Sequence, residues 1–154
     1  MRVRPYAAAD LDTLVALFRA SVRTIARRDY TLEQVQAWAP DEISRDNWLV
    51  RRAASNTWVA AEGTGVAGFI SVEPAGHIDM LYVHPDFQRR GVATALLWRV
   101  EQSARSCGWA ALSTEASITG RPFFESKRFR LIAAQTVVRH GQELRNFRMA
   151  RAVS

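Results

Sequence analysis

Apolar positions change their period several times along this chain, and each change marks an element. Arg2 to Tyr6 alternates and reads as a short first strand. Asp10 stands where it can cap a helix, whose apolar positions Leu11, Leu14, Val15, Leu17, Phe18 and Val22 follow at helical spacing. Asp29-Tyr30-Thr31 interrupts that pattern. Thr31, with Glu33 and Gln34 close behind, opens a second short helix through Val35 to Trp38, stopped at Pro40. Ser44 to Ala53 reads as a further helical piece.

From Asn56 onward the pattern is that of strands. Trp58 to Glu62 and Val66 to Val72 are β-rich runs separated by Gly63-Thr64-Gly65, which predicts a hairpin. His77 to Val83 is the next strand. A polar, glycine-bearing turn then leads into a long helix from about Gly91 to Cys107, with the stripe Val92, Ala93, Leu96, Leu97, Val100, Ala104 and Cys107. Ala110 to Thr114 predicts a strand and Pro122 to Lys127 a short helix. Leu131 to Arg139 and Leu144 to Arg151 are two closing strands joined by His140-Gly141-Gln142. The order β-αα-βββ-α-β-α-ββ predicts a mixed α/β sheet around a central β-α-β unit.

Composition narrows the class. The chain has 154 residues, 48% hydrophobic and 23% charged, which predicts one globular domain spanning residues 1–154. No apolar run is long enough to span a membrane, and the first residues lack the apolar core of a signal peptide, so a cytoplasmic location is expected. A lone cysteine, Cys107, excludes an internal disulfide and argues against a cysteine zinc site; no metal is expected. Cys107 reads as a core residue. The formal net charge is +6, and Lys127 is the only lysine. Such a balance suits an anionic ligand, either nucleic acid or a phosphorylated cofactor, and equally a solvated arginine surface.

Two glycine-bearing stretches bear on phosphate. Gly63-Thr64-Gly65-Val66-Ala67-Gly68 matches G-x-G-x-x-G, but Phe69 to Val72 after it is strand-like, whereas a dinucleotide site needs a helix there. Gln88-Arg89-Arg90-Gly91-Val92-Ala93 lies between a strand and a helix. Free N–H groups at a helix start carry partial positive charge and seat phosphates. Gly91 allows close approach of an anion, and Arg89 and Arg90 stand where cations oppose the helix dipole unless an anion joins them. The alternative is a plain turn with solvated arginines.

The run from His77 to Leu97, HIDMLYVHPDFQRRGVATALL, resembles the acetyl-CoA-binding segment of the GNAT N-acetyltransferase superfamily. Phe123-Phe124-Glu125-Ser126-Lys127-Arg128-Phe129 resembles that family's later aromatic motif. The order of elements agrees over roughly the whole chain, and the likeness is greatest to the YafP-like bacterial branch. The resemblance implies a mixed, mostly antiparallel central sheet of about seven strands flanked by about four helices. It also implies transfer of an acetyl group from acetyl-CoA directly to a primary amine. Backbone groups of Leu81, Tyr82 and Val83 would pair with the pantetheine arm. Amides of Gln88, Arg89, Arg90, Gly91, Val92, Ala93 and Thr94 would hold the pyrophosphate. Phe123 and Phe124 would line the thioester end. The acceptor would be a small-molecule or peptide amine, and family members are often homodimers.

An amine must be neutral to attack, so a base or a water chain is needed. His77 falls where several family members carry a glutamate base. Strand alternation puts His77, Asp79, Leu81 and Val83 on one face, with Asp79 close enough to orient His77 and Tyr82 on the other face. Glu115, at the end of the next strand, is a third candidate. In the alternative reading, His77 and Asp79 are an edge histidine and its solvated partner. Tyr30 and Trp38 lie in the segment that walls the acceptor site in this superfamily, or else simply pack. Two departures stand out: Phe124 replaces the tyrosine that many members use to protonate the leaving thiolate, and Arg128 replaces a glycine. Water or Tyr82 is then left as proton source. The first departure also keeps open a non-catalytic acetyl-CoA sensor. The lack of a basic cluster interleaved with aromatics disfavours a nucleic-acid module.

Overall fold

The computed structural model describes residues 1–153. Seven strands form one sheet in the order β1-β2-β3-β4-β5-β7-β6. In chain order these are β1 (Arg2–Pro5), β2 (Asn56–Glu62), β3 (Gly65–Glu73), β4 (His77–Val83), β5 (Ala111–Ser117), β6 (Arg130–Arg139) and β7 (Gln142–Ala152). Five α-helices cover it: α1 (Leu11–Thr24), α2 (Leu32–Trp38), α3 (Arg45–Ala54), α4 (Val92–Cys107) and α5 (Arg121–Ser126). The expected count was about four; the piece after Ser44 is a complete helix, its start capped by the Ser44 side chain accepting from the Asn47 N–H. Thr31 and Gln34 cap α2 reciprocally, as their spacing predicts.

All neighbouring strands are antiparallel except β4 and β5, which are parallel and joined through only His77–Ser113 and Ile78–Thr114. Beyond Ile78 the two strands part, and the sheet opens into a wedge. One face carries α4 on Ile70, Ile78, Leu81 and Val83; the other carries α1 and α2 on Val59, Phe69, Met80 and Tyr82. The hairpin at Gly63 replaces the dinucleotide motif as expected, and the last glycine of that run serves packing. A Cβ on Gly68 would stand 2.8 Å from the Tyr82 carbonyl oxygen and 2.9 Å from Val92, so glycine lets β3 approach β4 and the start of α4.

Three local expectations fail. Asp10 does not cap α1 with its side chain; its carboxylate accepts from the Ala7 N–H and from both Arg4 terminal nitrogens, at 2.8 Å each. The Arg4 guanidinium therefore holds the Asp10 carboxyl below its ordinary range. Cys107 is exposed at the end of α4 rather than in the core, because the helix overruns the sheet there before Gly108 ends it at φ +70°. The third failure lies in β4. Ser71 pairs with Met80 but Val72 pairs with Ile78, so Asp79 is an extra residue bulged out of the ladder. The alternation slips by one, and His77 and Asp79 share the face of Met80 and Tyr82, not that of Leu81 and Val83.

Candidate active site

Two cavities meet at the wedge. The first, of about 330 Å3, lies between the ends of β4 and β5 and the start of α4. Leu81, Tyr82, Val83, Gln88, Arg89, Gly91, Val92, Ala93, Thr94, Phe123 and Phe124 all line it. Arg90 alone of the residues expected there does not; its guanidinium lies 5.3 Å from the Phe87 ring instead. His84 donates its backbone N–H to Ala67 on β3, so by strand alternation Leu81 and Val83 turn their N–H and C=O groups toward the wedge. The Val83 carbonyl accepts from Gln88 Nε2 at 3.3 Å at the wedge mouth.

The start of α4 is shaped for an anion. Gly91 precedes it at φ +76° and Arg89 stands at φ +61°, two left-handed residues in the turn that leads into the helix. No side chain caps this helix, which leaves its first N–H groups free for a ligand. An added Cβ at Gly91 would meet nothing within 4 Å, so the glycine is needed for its backbone angle and for access, not for packing. An elongated cofactor carrying a pyrophosphate and an amide-bearing arm fits this surface: phosphates on the helix start, amides along the open edge of β4.

The second cavity, of about 660 Å3, lies on the α1 face. His77, Asp79 and Glu115 line it together with Tyr30 and Trp38, so the structure brings all five candidates together. Their pairings differ from expectation. His77 Nδ1 lies 2.9 Å from Ser113 Oγ, not against Asp79. Asp79 instead accepts from Arg51 and Arg52 of α3. Glu115 is exposed and accepts from Gln135 Nε2. The Tyr30 hydroxyl donates to the Arg145 carbonyl and accepts from the Ile118 N–H, so it ties β5 to β7 across the cavity floor; burial pushes its pKa up.

Tyr82, Trp38 and Ser117 line both cavities and form the wall they share. Tyr82 lies among Phe18, Trp38 and Phe69. Loss of water contact pushes its hydroxyl pKa well above the ordinary tyrosine value, offset only in part by the Trp38 indole, so the group stays protonated. Ser117 Oγ accepts from the Gly120 N–H at 2.9 Å, which leaves its own proton to donate. At Phe124 the aromatic cluster with Phe123 and Phe129 offers no polar atom. Arg128 holds φ +69°, so the turn keeps the left-handed angle that a glycine would take easily.

Trp48, Arg51, Arg52 and Ser117 were not legible in the sequence as site residues. One signal was present: Trp48 and Arg52 are four apart on a helix, and the Arg52 guanidinium lies 5.5 Å from the Trp48 ring centroid.

The sequence matches the acetyltransferase (GNAT) domain family over residues 26–151. The chain therefore belongs to the GNAT acetyltransferase family, and it is an acyltransferase. It is 37% identical over 149 residues to the uncharacterized N-acetyltransferase YafP of Escherichia coli, covering 97% of this chain and 94% of that protein. The GCN5-related N-acetyltransferase of Rhodopseudomonas palustris, whose structure is described as "Aminotransferase, Class-II", superposes with a TM-score of 0.95 at 32% identity, covering 98% of this chain and 94% of that one. The fold is also that of yncA from Salmonella typhimurium, solved with its cofactor acetyl-CoA (TM-score 0.73, 21% identity, 100% and 94% covered).

Proposed function

We propose that this chain is a single acetyltransferase domain that moves an acetyl group from acetyl-CoA directly to a primary amine, with the acceptor entering the α1-face cavity. The observation that carries the reading is the meeting of two cavities at one wall where β4 and β5 part. One cavity has free helix N–H groups and an open strand edge. The other has a histidine and acidic groups. Direct transfer needs both reactants within reach of each other, and a shared wall supplies that.

When bound, acetyl-CoA supplies the acetyl group as an activated thioester. The N–H groups of α4 and of Gln88 to Thr94 hold its phosphates, and Leu81 and Val83 hold its amide arm. His77, fixed through Nδ1 by Ser113, takes the amine proton through water in the cavity it lines. Free N–H groups on the wedge side of β4 stabilise negative charge on the reacting carbonyl oxygen. Tyr82 carries a proton at the shared wall, where Phe124 cannot, and donates it to the departing thiolate.

A thermal-shift titration with acetyl-CoA, free CoA and a control nucleotide tests the reading. At about 100 times its Kd a ligand adds about 2.7 kcal/mol of stability. Acetyl-CoA and CoA should each raise the melting temperature and the control should not. No shift at saturating acetyl-CoA would overturn it.

A further inference from the structure

The α1-face cavity holds buried polar atoms that the chain itself does not satisfy. Arg52 is 2% exposed, yet among the described residues its Nε and Nη1 have no partner; only Nη2 is engaged, 2.9 Å from Asp79. Arg51 binds the same carboxylate at 3.1 Å. Two guanidinium groups on one carboxylate leave a positive charge in excess, and orphaned donors this deep are normally completed by a ligand or an ordered water. Glu42 and Glu73 line the cavity but neither pairs with Arg51 or Arg52. A third orphan is Asn146 Oδ1, an acceptor on β7, and Asn146 also lines the cavity. Asn146 pairs across the ladder with Ser117, a residue of the wall shared with the cofactor cavity.

The cavity is therefore polarised, with donors on the α3 side and an acceptor beside the transfer point. We propose that the acceptor is an amine that also carries a carboxylate. Its ammonium group docks at Asn146, next to Ser117, and its carboxylate docks on Arg52 with help from Arg51. The rings of Phe18, Trp38 and Trp48 line the same cavity, which favours an apolar or aromatic middle. This inference rests on the reading that the α1-face cavity takes the acceptor.

Benzoate and benzyl alcohol are suitable probes, because they share a ring and differ in the carboxylate. Thermal-shift titrations without acetyl-CoA should show stabilisation by benzoate and none by benzyl alcohol. Arg52→Lys should weaken the benzoate response at least tenfold in apparent Kd, and Arg51→Ala, at an exposed side chain, should weaken it by less. In turnover, 4-(aminomethyl)benzoate should be preferred to 4-methylbenzylamine by tenfold or more in kcat/KM, and that ratio should collapse in R52K. Equal response to the two probes, or a benzoate response untouched in both variants, would overturn the proposal. Acetyl-CoA binding would then still stand or fall by its own titration, so the two failures are separable.

Discussion

His77 Nδ1 and Ser113 Oγ meet at 2.9 Å across the first of only two residue pairs that join β4 to β5. The histidine is thus anchored within the short joint, one pair before the strands part, and it lines the α1-face cavity. If His77 is the base, His77→Ala should lower kcat by about 10²- to 10⁴-fold while the acetyl-CoA thermal shift persists. Ser113→Ala should lower kcat less and leave the KM for acetyl-CoA unchanged. Steady-state kinetics on any accepted amine checks both, and an H77A enzyme with full kcat would move the role to Glu115.

Gly91 separates backbone geometry from access. Gly91→Ala places a Cβ at φ +76°, at a cost of about 1–2 kcal/mol in stability, but leaves the N–H groups of α4 in place. Gly91→Asp adds a negative charge at the same point. G91A should keep a measurable acetyl-CoA shift, and G91D should lose it. Calorimetric titration of both variants distinguishes a lost phosphate seat from a merely weakened fold.

Tyr82 yields a prediction in two variables. Tyr82→Phe should cut kcat by about 10²-fold with acetyl-CoA affinity retained. Its raised pKa also has a stability consequence. The unfolded chain ionises tyrosine near pH 10, while the folded chain holds Tyr82 neutral, so the stabilisation is fully present below about pH 10 and is lost as pH rises beyond it. Melting temperatures from pH 8 to 11 should fall at the alkaline end in the parent chain and fall less steeply in Y82F.

Arg128 stands exposed in a left-handed turn, with no recorded side-chain partner among the described residues. Relieving the angle gains about 1–2 kcal/mol, and the added freedom of glycine in the unfolded chain returns about 0.4–1 of it. Arg128→Gly should therefore stabilise by about 0.5–1 kcal/mol, a rise of about 1–4 °C by calorimetry.

The element order, and the grouping of Leu81 to Val83 with the Gln88 to Thr94 segment around one cavity, were legible because each rests on local signals. Helical stripes, the Gly63 turn and the strand–Gly91–helix junction are written in contiguous residues. Phase within β4 was not legible. The bulge at Asp79 depends on how β3 pairs with β4, and a period-two pattern cannot register an extra residue that only the partner strand reveals. The Asp79–Arg52 pair escaped likewise, since charge partners 27 residues apart leave no mark in spacing.

The wedge between β4 and β5 has a mechanical meaning as well. With two residue pairs across the joint, the sheet is two half-sheets, β1 to β4 and β5 to β7, sewn by a very short seam. A ligand laid along the open edge of β4 acts as a missing strand and closes part of that seam. Occupancy then sets how stiffly the two halves move together. Amide exchange along Leu81 to Val83 and Glu115 to Ser117 should slow together on loading, and the enzyme would be at its most rigid when both reactants face each other.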